Sequence, residues 1–139
     1  MITIGWTINN KMIKTKRASK FVPAEESDGK RLLIVFDPHW DKFHKVPFHE
    51  HILILGPSKG LWKAYVKFKQ ITWEEYERRF REDIAKNEKA QDLIKELARK
   101  YCNSETEHVT LLCFCPDERY CHRRLVKEMI LSINQSIIQ

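Results

Sequence analysis

The chain has 139 residues, which suits one domain and leaves no room for two separate cores. Hydrophobic residues make up 42%, enough for a packed interior, while 25 Lys and Arg against 19 Asp and Glu give a net charge of +6. No apolar run approaches the roughly 20 residues of a membrane span, so a helical membrane protein is excluded, and the basic balance favours acidic partners such as nucleic acid, nucleotides or phosphorylated metabolites.

The opening residues Met1-Ile-Thr-Ile-Gly-Trp6 lack a basic segment followed by a long apolar one, so no secretory leader is read there and a cytoplasmic location is expected. Two short strand-like runs, Met1 to Ile4 and Met12 to Thr15, flank the turn-prone Asn9-Asn10. The basic stretch Lys11, Lys14, Lys16, Arg17 and Lys20 is a candidate nucleic-acid surface. It comes with no helix-turn-helix, zinc-finger or comparable signature. Pro23 to Gly29 reads as a loop, and Arg31-Leu-Leu-Ile-Val-Phe36 as a strand covered on both faces.

Asp37 to Glu50 carries two prolines and three histidines and reads as a long irregular loop. Asp37, His39 and Asp41, joined by His44, His49 or His51, form a candidate metal set there, although histidines in a polar loop are commonly plain surface residues. His51 to Leu55 is too short for periodicity to separate strand from helical turn.

From Ser58 the pattern is helical. Ser58 caps a segment expected to bury Leu61, Trp62, Tyr65 and Phe68. Thr72-Trp-Glu-Glu75 is a capping box opening a helix that buries Trp73, Tyr76, Phe80 and Ile84. Its outer face offers Glu74–Arg78, Glu75–Arg79 and Glu77–Arg81 pairs at the favourable four-residue spacing. The aromatic residues of these helices sit at core spacing, and packing is their assignment. A third helix carries Leu93, Ile94, Leu97, Ala98 and Tyr101 on one stripe. His108 to Cys113 is a second buried strand, and a last helix buries Leu125, Val126, Met129, Ile130 and Ile133. This order predicts a single α/β domain, 1–139, with a small, largely parallel sheet flanked by helices. Residues 1–30 form its N-terminal segment and loop, and 31–134 its core.

The segment expected to hold the working site is Cys113-Phe-Cys-Pro-Asp-Glu-Arg-Tyr-Cys-His-Arg123, because it leaves a strand's carboxyl end and enters a helix. Ligands of open α/β sheets bind outside the carboxyl ends of strands. The helix start favours an anion and would lower the pKa of a nearby thiol. Arg119, Arg123 and Arg124 are the candidate anion ligands, Cys113 or Cys121 the candidate nucleophile, and His122 the acid/base. Three specific chemistries compete. Cys113 to Arg119 spells C-x5-R, the spacing by which a thiolate and an arginine surround a phosphoryl group, but Pro116, Asp117 and Glu118 suit phosphate poorly. Cys113, Cys115, Cys121 and His122 are four potential zinc ligands at an unusual spacing. Cys121 with another cysteine is a potential redox pair without a C-x-x-C motif. In the blander alternative, Cys113 is a small core residue and Arg123 and Arg124 face solvent.

Two stretches carry a family resemblance. Leu55-Gly-Pro-Ser-Lys59 runs into Ile71-Thr-Trp-Glu-Glu-Tyr-Glu-Arg-Arg-Phe80, and Val109-Thr-Leu-Leu-Cys113 is followed by Cys121-His-Arg123. With Asp28-Gly-Lys-Arg-Leu-Leu-Ile-Val35, they resemble the domain of unknown function family 488, in particular its YeaO-like branch. The resemblance covers most of the chain after about residue 12 and implies a small α/β domain without an assigned biochemical role. That branch usually carries an arginine and a Trp-Pro-Arg-Gly stretch after the first central strand, where this chain reads Phe36-Asp-Pro-His-Trp40. The functional expectation is a small anionic ligand, nucleotide-like or phosphorylated, at the strand-to-helix loop. The alternatives are a nucleic-acid-binding accessory protein and a non-enzymatic module with a structural Cys/His cluster.

Overall fold

The structure, a computed structural model, describes residues 12–36, 46–102 and 104–138, with 134–138 described by backbone alone. The strand expected at Met1 to Ile4 and the loop residues Asp37, His39, Asp41 and His44 lie outside the described residues, as does Lys11. Among the described residues, four strands form one sheet: β1 (Ile13–Arg17), β2 (Lys30–Leu33), β3 (Glu50–His51) and β4 (Val109–Cys113). Their spatial order is β1-β4-β2-β3, and every neighbouring pair is parallel. The expected α/β class and single domain are therefore what the chain adopts. The sheet draws on the N-terminal segment as well, since β1 pairs with β4 from Ile13 opposite Val109 to Arg17 opposite Cys113.

The described residues also form four α-helices: α1 (Lys59–Trp62), α2 (Trp73–Lys86), α3 (Glu88–Leu97) and α4 (His122–Ile138). Among the described residues, no helix is long and apolar enough to cross a membrane. Side-chain oxygens cap the starts as the sequence implied: Ser58 Oγ accepts from Leu61 N–H, and Thr72 Oγ1 from Glu75 N–H at 3.1 Å each. The Glu75 carboxylate pairs with Arg78, which also reaches Glu82, so two of the three expected outer pairs re-sort. The Glu77–Arg81 pair forms, and Arg81 also binds Glu128 at 2.9 Å, tying α2 to α4.

The ambiguous run after residue 50 splits between both readings, with Glu50–His51 bridging the sheet edge and Leu53–Leu55 making a 3-10 turn. The segment after α1 departs further. Helical turns widen to a π-helix over Lys63–Lys67, closed by Phe68 N–H to Lys63 O at 2.8 Å. A wider turn shifts every later side chain off the 3.6-residue stripe. Leu61 alone is buried, Trp62 and Tyr65 are half-buried, and Phe68 is 53% exposed rather than packed.

Alternation along the strands divides the interior. Leu32, Ile34 and Leu111 join Phe80, Ile84, Ile94, Leu125 and Ile130 under the helices, while Leu33, Val35 and Leu112 join Val46, Cys113 and Cys121 in a smaller cluster. Full burial of each large apolar side chain contributes about 2 kcal/mol. At the amino end of β2, Gly29 has φ +62°, and a Cβ there would lie 2.1 Å from the His108 carbonyl oxygen, so only glycine allows this approach. Asp28 beside it is fully buried and accepts from Lys14 at 3.2 Å, Lys16 at 2.7 Å and Arg31. Two members of the N-terminal basic stretch are thus drawn inward to neutralise one carboxylate.

Candidate functional site

β4 ends at Cys113, and the chain crosses Phe114 to Tyr120 before entering α4 at His122. This crossing folds back because Asp117 caps the 3-10 turn Glu118–Tyr120, accepting from Arg119 N–H at 3.0 Å. Cys121 and His122 thereby return to the carboxyl end of the strand they left. The Sγ of Cys113 lies 3.7 Å from His122 Nδ1, and the Sγ of Cys121 lies 3.9 Å from the same atom. All three residues are buried. Their donor atoms lie within 4.8 Å of one another, so Cys113, Cys121 and His122 can hold a metal ion. No other such group of His, Cys, Asp or Glu occurs among the described residues.

The ring orientation of His122 is set from β2's extension. His122 Nε2 faces the carbonyl oxygen of Ile34, which can only accept, so this nitrogen carries the proton. Nδ1 is the ring atom that faces the two thiols. A proton on Nε2 gives the tautomer a metal-ligating histidine adopts when its second nitrogen is held by a backbone carbonyl. His49 and His51 are engaged differently: His49 Nδ1 accepts from Arg31 N–H, and His51 Nε2 donates to Val35 O, each at 2.9 Å.

Burial pushes the Cys113 thiol well above its ordinary range. Cys115 is pushed up to about 12, first by its contact with Cys113, against an opposing contact from Cys121. The expectation of a thiol lowered by the helix start is reversed for these two: loss of water raises Cys113, and the contact with Cys113 raises Cys115. All four cysteines, Cys102 included, are free.

The three arginines separate. Arg119 is 78% exposed in its side chain and is spent on Asp117 at 3.0 Å, so the C-x5-R spacing does not bring it to Cys113. Arg124 pairs with Glu128, donates to Arg119 O and lies over the Trp73 ring. Arg123 alone turns inward. It is 4% exposed and donates from Nη1 to Cys115 O at 2.6 Å, while its Nε is buried without a partner. Among the described residues no carboxylate pairs with it.

Sequence reasoning missed the wall beside this cluster. A cavity of about 150 Å³ is lined by Cys113, Cys115 and His122 together with Phe36, Trp62, Tyr65, Val66, Tyr76 and Tyr120. Three of these aromatics were assigned to core packing. The one available signal was their position, near the carboxyl ends of two parallel strands and on the widened turn after α1.

No curated protein and no solved structure matched the chain. A family model described as the active DUF488-N3 subclade matches residues 13–134, from the first residue of β1 into α4. That span holds the whole sheet, the thiol cluster and the aromatic wall, and the chain belongs to the DUF488 family.

Proposed function

We propose that this protein binds a small anionic ligand, nucleotide-like or phosphorylated, beside the β4–α4 crossing, with Arg123 holding the charge. Arg123 carries the reading. A guanidinium taken out of water without a counter-ion costs several kcal/mol, and an anion arriving next to it offsets that cost. Cys121 and His122 immediately precede Arg123, with His122 Nδ1 placed to take the Cys121 proton and so activate a nucleophile. The test is thermal stabilisation by inorganic phosphate and by nucleoside phosphates in the parent and in Arg123→Met. Stabilisation lost in the variant supports the reading; no stabilisation by any anion in the parent sinks it.

The donor geometry of Cys113, Cys121 and His122 favours a second reading, zinc held by these three, with Cys115 the fourth ligand that the sequence offers. Zinc thiolates would themselves be the anions facing Arg123. Metal analysis of the purified protein with a thiol count separates the two. One zinc per chain with masked thiols supports this second reading. Four titratable thiols and no zinc uptake exclude it.

A further inference from the structure

We propose that the outer face of α1 and the π-helical turn after it form a contact surface for single-stranded nucleic acid, with lysines on phosphates and Phe68 stacked on a base. The inference goes beyond the Arg123 reading and does not depend on it. Charge carries it first. Residues 51–73 hold Lys59, Lys63, Lys67 and Lys69 and no Asp, Glu or Arg, so this stretch supplies +4 of the chain's +6. Glu74, on the first turn of α2, is the first acid to follow. Among the described residues, none of the four lysines pairs with a carboxylate. The residues outside that set hold two acids, Asp37 and Asp41, against Lys11, Lys42 and Lys45. A concentration of one sign that the protein leaves unbalanced is a footprint for a polyanion.

Local structure comes second. Lys59, Lys63 and Lys67 recur every four residues along one continuous helical run. They span about 12 Å, enough for several phosphates of one strand. The run closes with Lys69 in the left-handed region at φ 52°, fixed by Gln70 N–H donating to Ala64 O at 2.7 Å. A side chain in that region costs about 1 kcal/mol, which a glycine would avoid. Lys67, Phe68 and Lys69 are all exposed, and Lys67 Nζ lies 5.4 Å from the Phe68 ring centroid, so charge and ring are presented together.

The apolar balance then selects the partner. Leu61 is buried and Trp62 and Tyr65 are half-buried, leaving Phe68 as the exposed large apolar side chain of the run. A bilayer surface needs a whole apolar face to bury, whereas a single strand needs a basic track and a ring for a base. The N-terminal basic stretch fits less well, since Asp28 and Glu25 hold Lys14 and Lys16.

Fluorescence anisotropy of a labelled oligothymidylate, about twelve nucleotides long, with the full chain tests this. Binding weakens about fiftyfold between about 50 mM and about 200 mM salt, as four phosphate contacts require. In Lys59→Gln/Lys67→Gln/Lys69→Gln one contact remains, so binding at low salt weakens and the salt effect falls to about threefold. Phe68→Ala weakens binding about tenfold and leaves the salt dependence unchanged. All four positions are exposed, so both variants fold as the parent does. Arg17→Gln/Lys20→Gln, at the exposed end of the N-terminal stretch, binds like the parent. No oligonucleotide binding at low salt, or affinity unchanged in either the lysine or the Phe68 variant, overturns the inference. So does loss confined to the Arg17 and Lys20 variant, or binding to phosphatidylserine vesicles without binding to the oligonucleotide.

Discussion

Two buried polar clusters sit on this sheet and solve the same problem in opposite ways. At the amino end of β2, Asp28 is enclosed by Lys14, Lys16 and Arg31, and it also accepts from Glu25 N–H at 3.1 Å. Its backbone carbonyl takes the Thr110 hydroxyl at 2.8 Å. Every oxygen is used, and the charge is balanced by neighbours. Beyond the carboxyl end of β4, Arg123 has one backbone acceptor and no counter-ion among the described residues, and the Cys113 and Cys121 thiols meet a single imidazole nitrogen at long range. A satisfied cluster holds a fold together, whereas an unsatisfied one at the same depth lowers stability until something else arrives.

The comparison breaks first at Asp28. Asp28→Asn leaves three cations around a neutral amide and costs about 3–5 kcal/mol in urea unfolding. Burial opposes ionisation of Asp28, but hydrogen bonds from Lys16, the Glu25 backbone, Lys14 and Arg31 outweigh it and hold the carboxyl well below the usual range. A depressed acid lends stability above its unfolded pKa and loses it as pH falls. The gap between parent and variant therefore stays constant from neutral pH to about pH 4 and narrows below it. A gap that widens on acidification would contradict this account.

The thiols come next. With Cys113 pushed up by burial and Cys115 up to about 12 by its contact with Cys113, both hold their protons at neutral pH. Iodoacetamide at pH 8 should modify them at least about a hundredfold more slowly than free cysteine, followed by peptide mass spectrometry. Raised thiols lend stability below the unfolded value near about 8.5 and lose it above, so unfolding free energy declines from about pH 8.5 upward. Reaction at the free-cysteine rate would show thiolates already present and remove the contrast with Asp28.

Arg123→Met gives the sharper, smaller effect. Removing a buried guanidinium that no carboxylate pairs with among the described residues, at similar volume, leaves the ligand-free protein as stable as the parent, or more stable by about 1 kcal/mol, measured by urea unfolding. Arg31→Met moves the other way, since it strips a partner from Asp28. Destabilisation of similar size in both would mean that Arg123 is structural. Smallest is Arg119→Ala: with its side chain in water beside Asp117, it should change neither the melting temperature nor phosphate binding.

Particular residues show why some of this was legible in sequence. Thr72 and Ser58 announced their helices because a cap is a contact three residues away. Leu32, Leu33, Leu111 and Leu112 announced central strands because both faces are apolar. The Cys113 and Cys121-His-Arg123 grouping was legible as a location, since a strand end followed by a helix start is itself a local pattern. The π-helical turn was not: Trp62, Tyr65 and Phe68 keep an ordinary helical spacing, and only the shifted backbone bond to Lys63 moves Phe68 into water. Likewise Arg119, Arg123 and Arg124 are equivalent letters, yet Asp117 and Glu128 claim two of them.

By itself, then, the sequence determined the class, the caps, the central strands and the segment to watch, all of which follow from contacts within a few residues or from periodic burial. Tertiary structure alone decided that Asp28 consumes Lys14 and Lys16, that Ile34 sets the ring of His122, that one arginine of three is buried with no carboxylate partner among the described residues, and that helix aromatics form a wall. These depend on groups from about 12 to about 88 residues apart being brought within hydrogen-bonding distance. No local preference encodes such pairings; only the packing of the parallel sheet against its helices does.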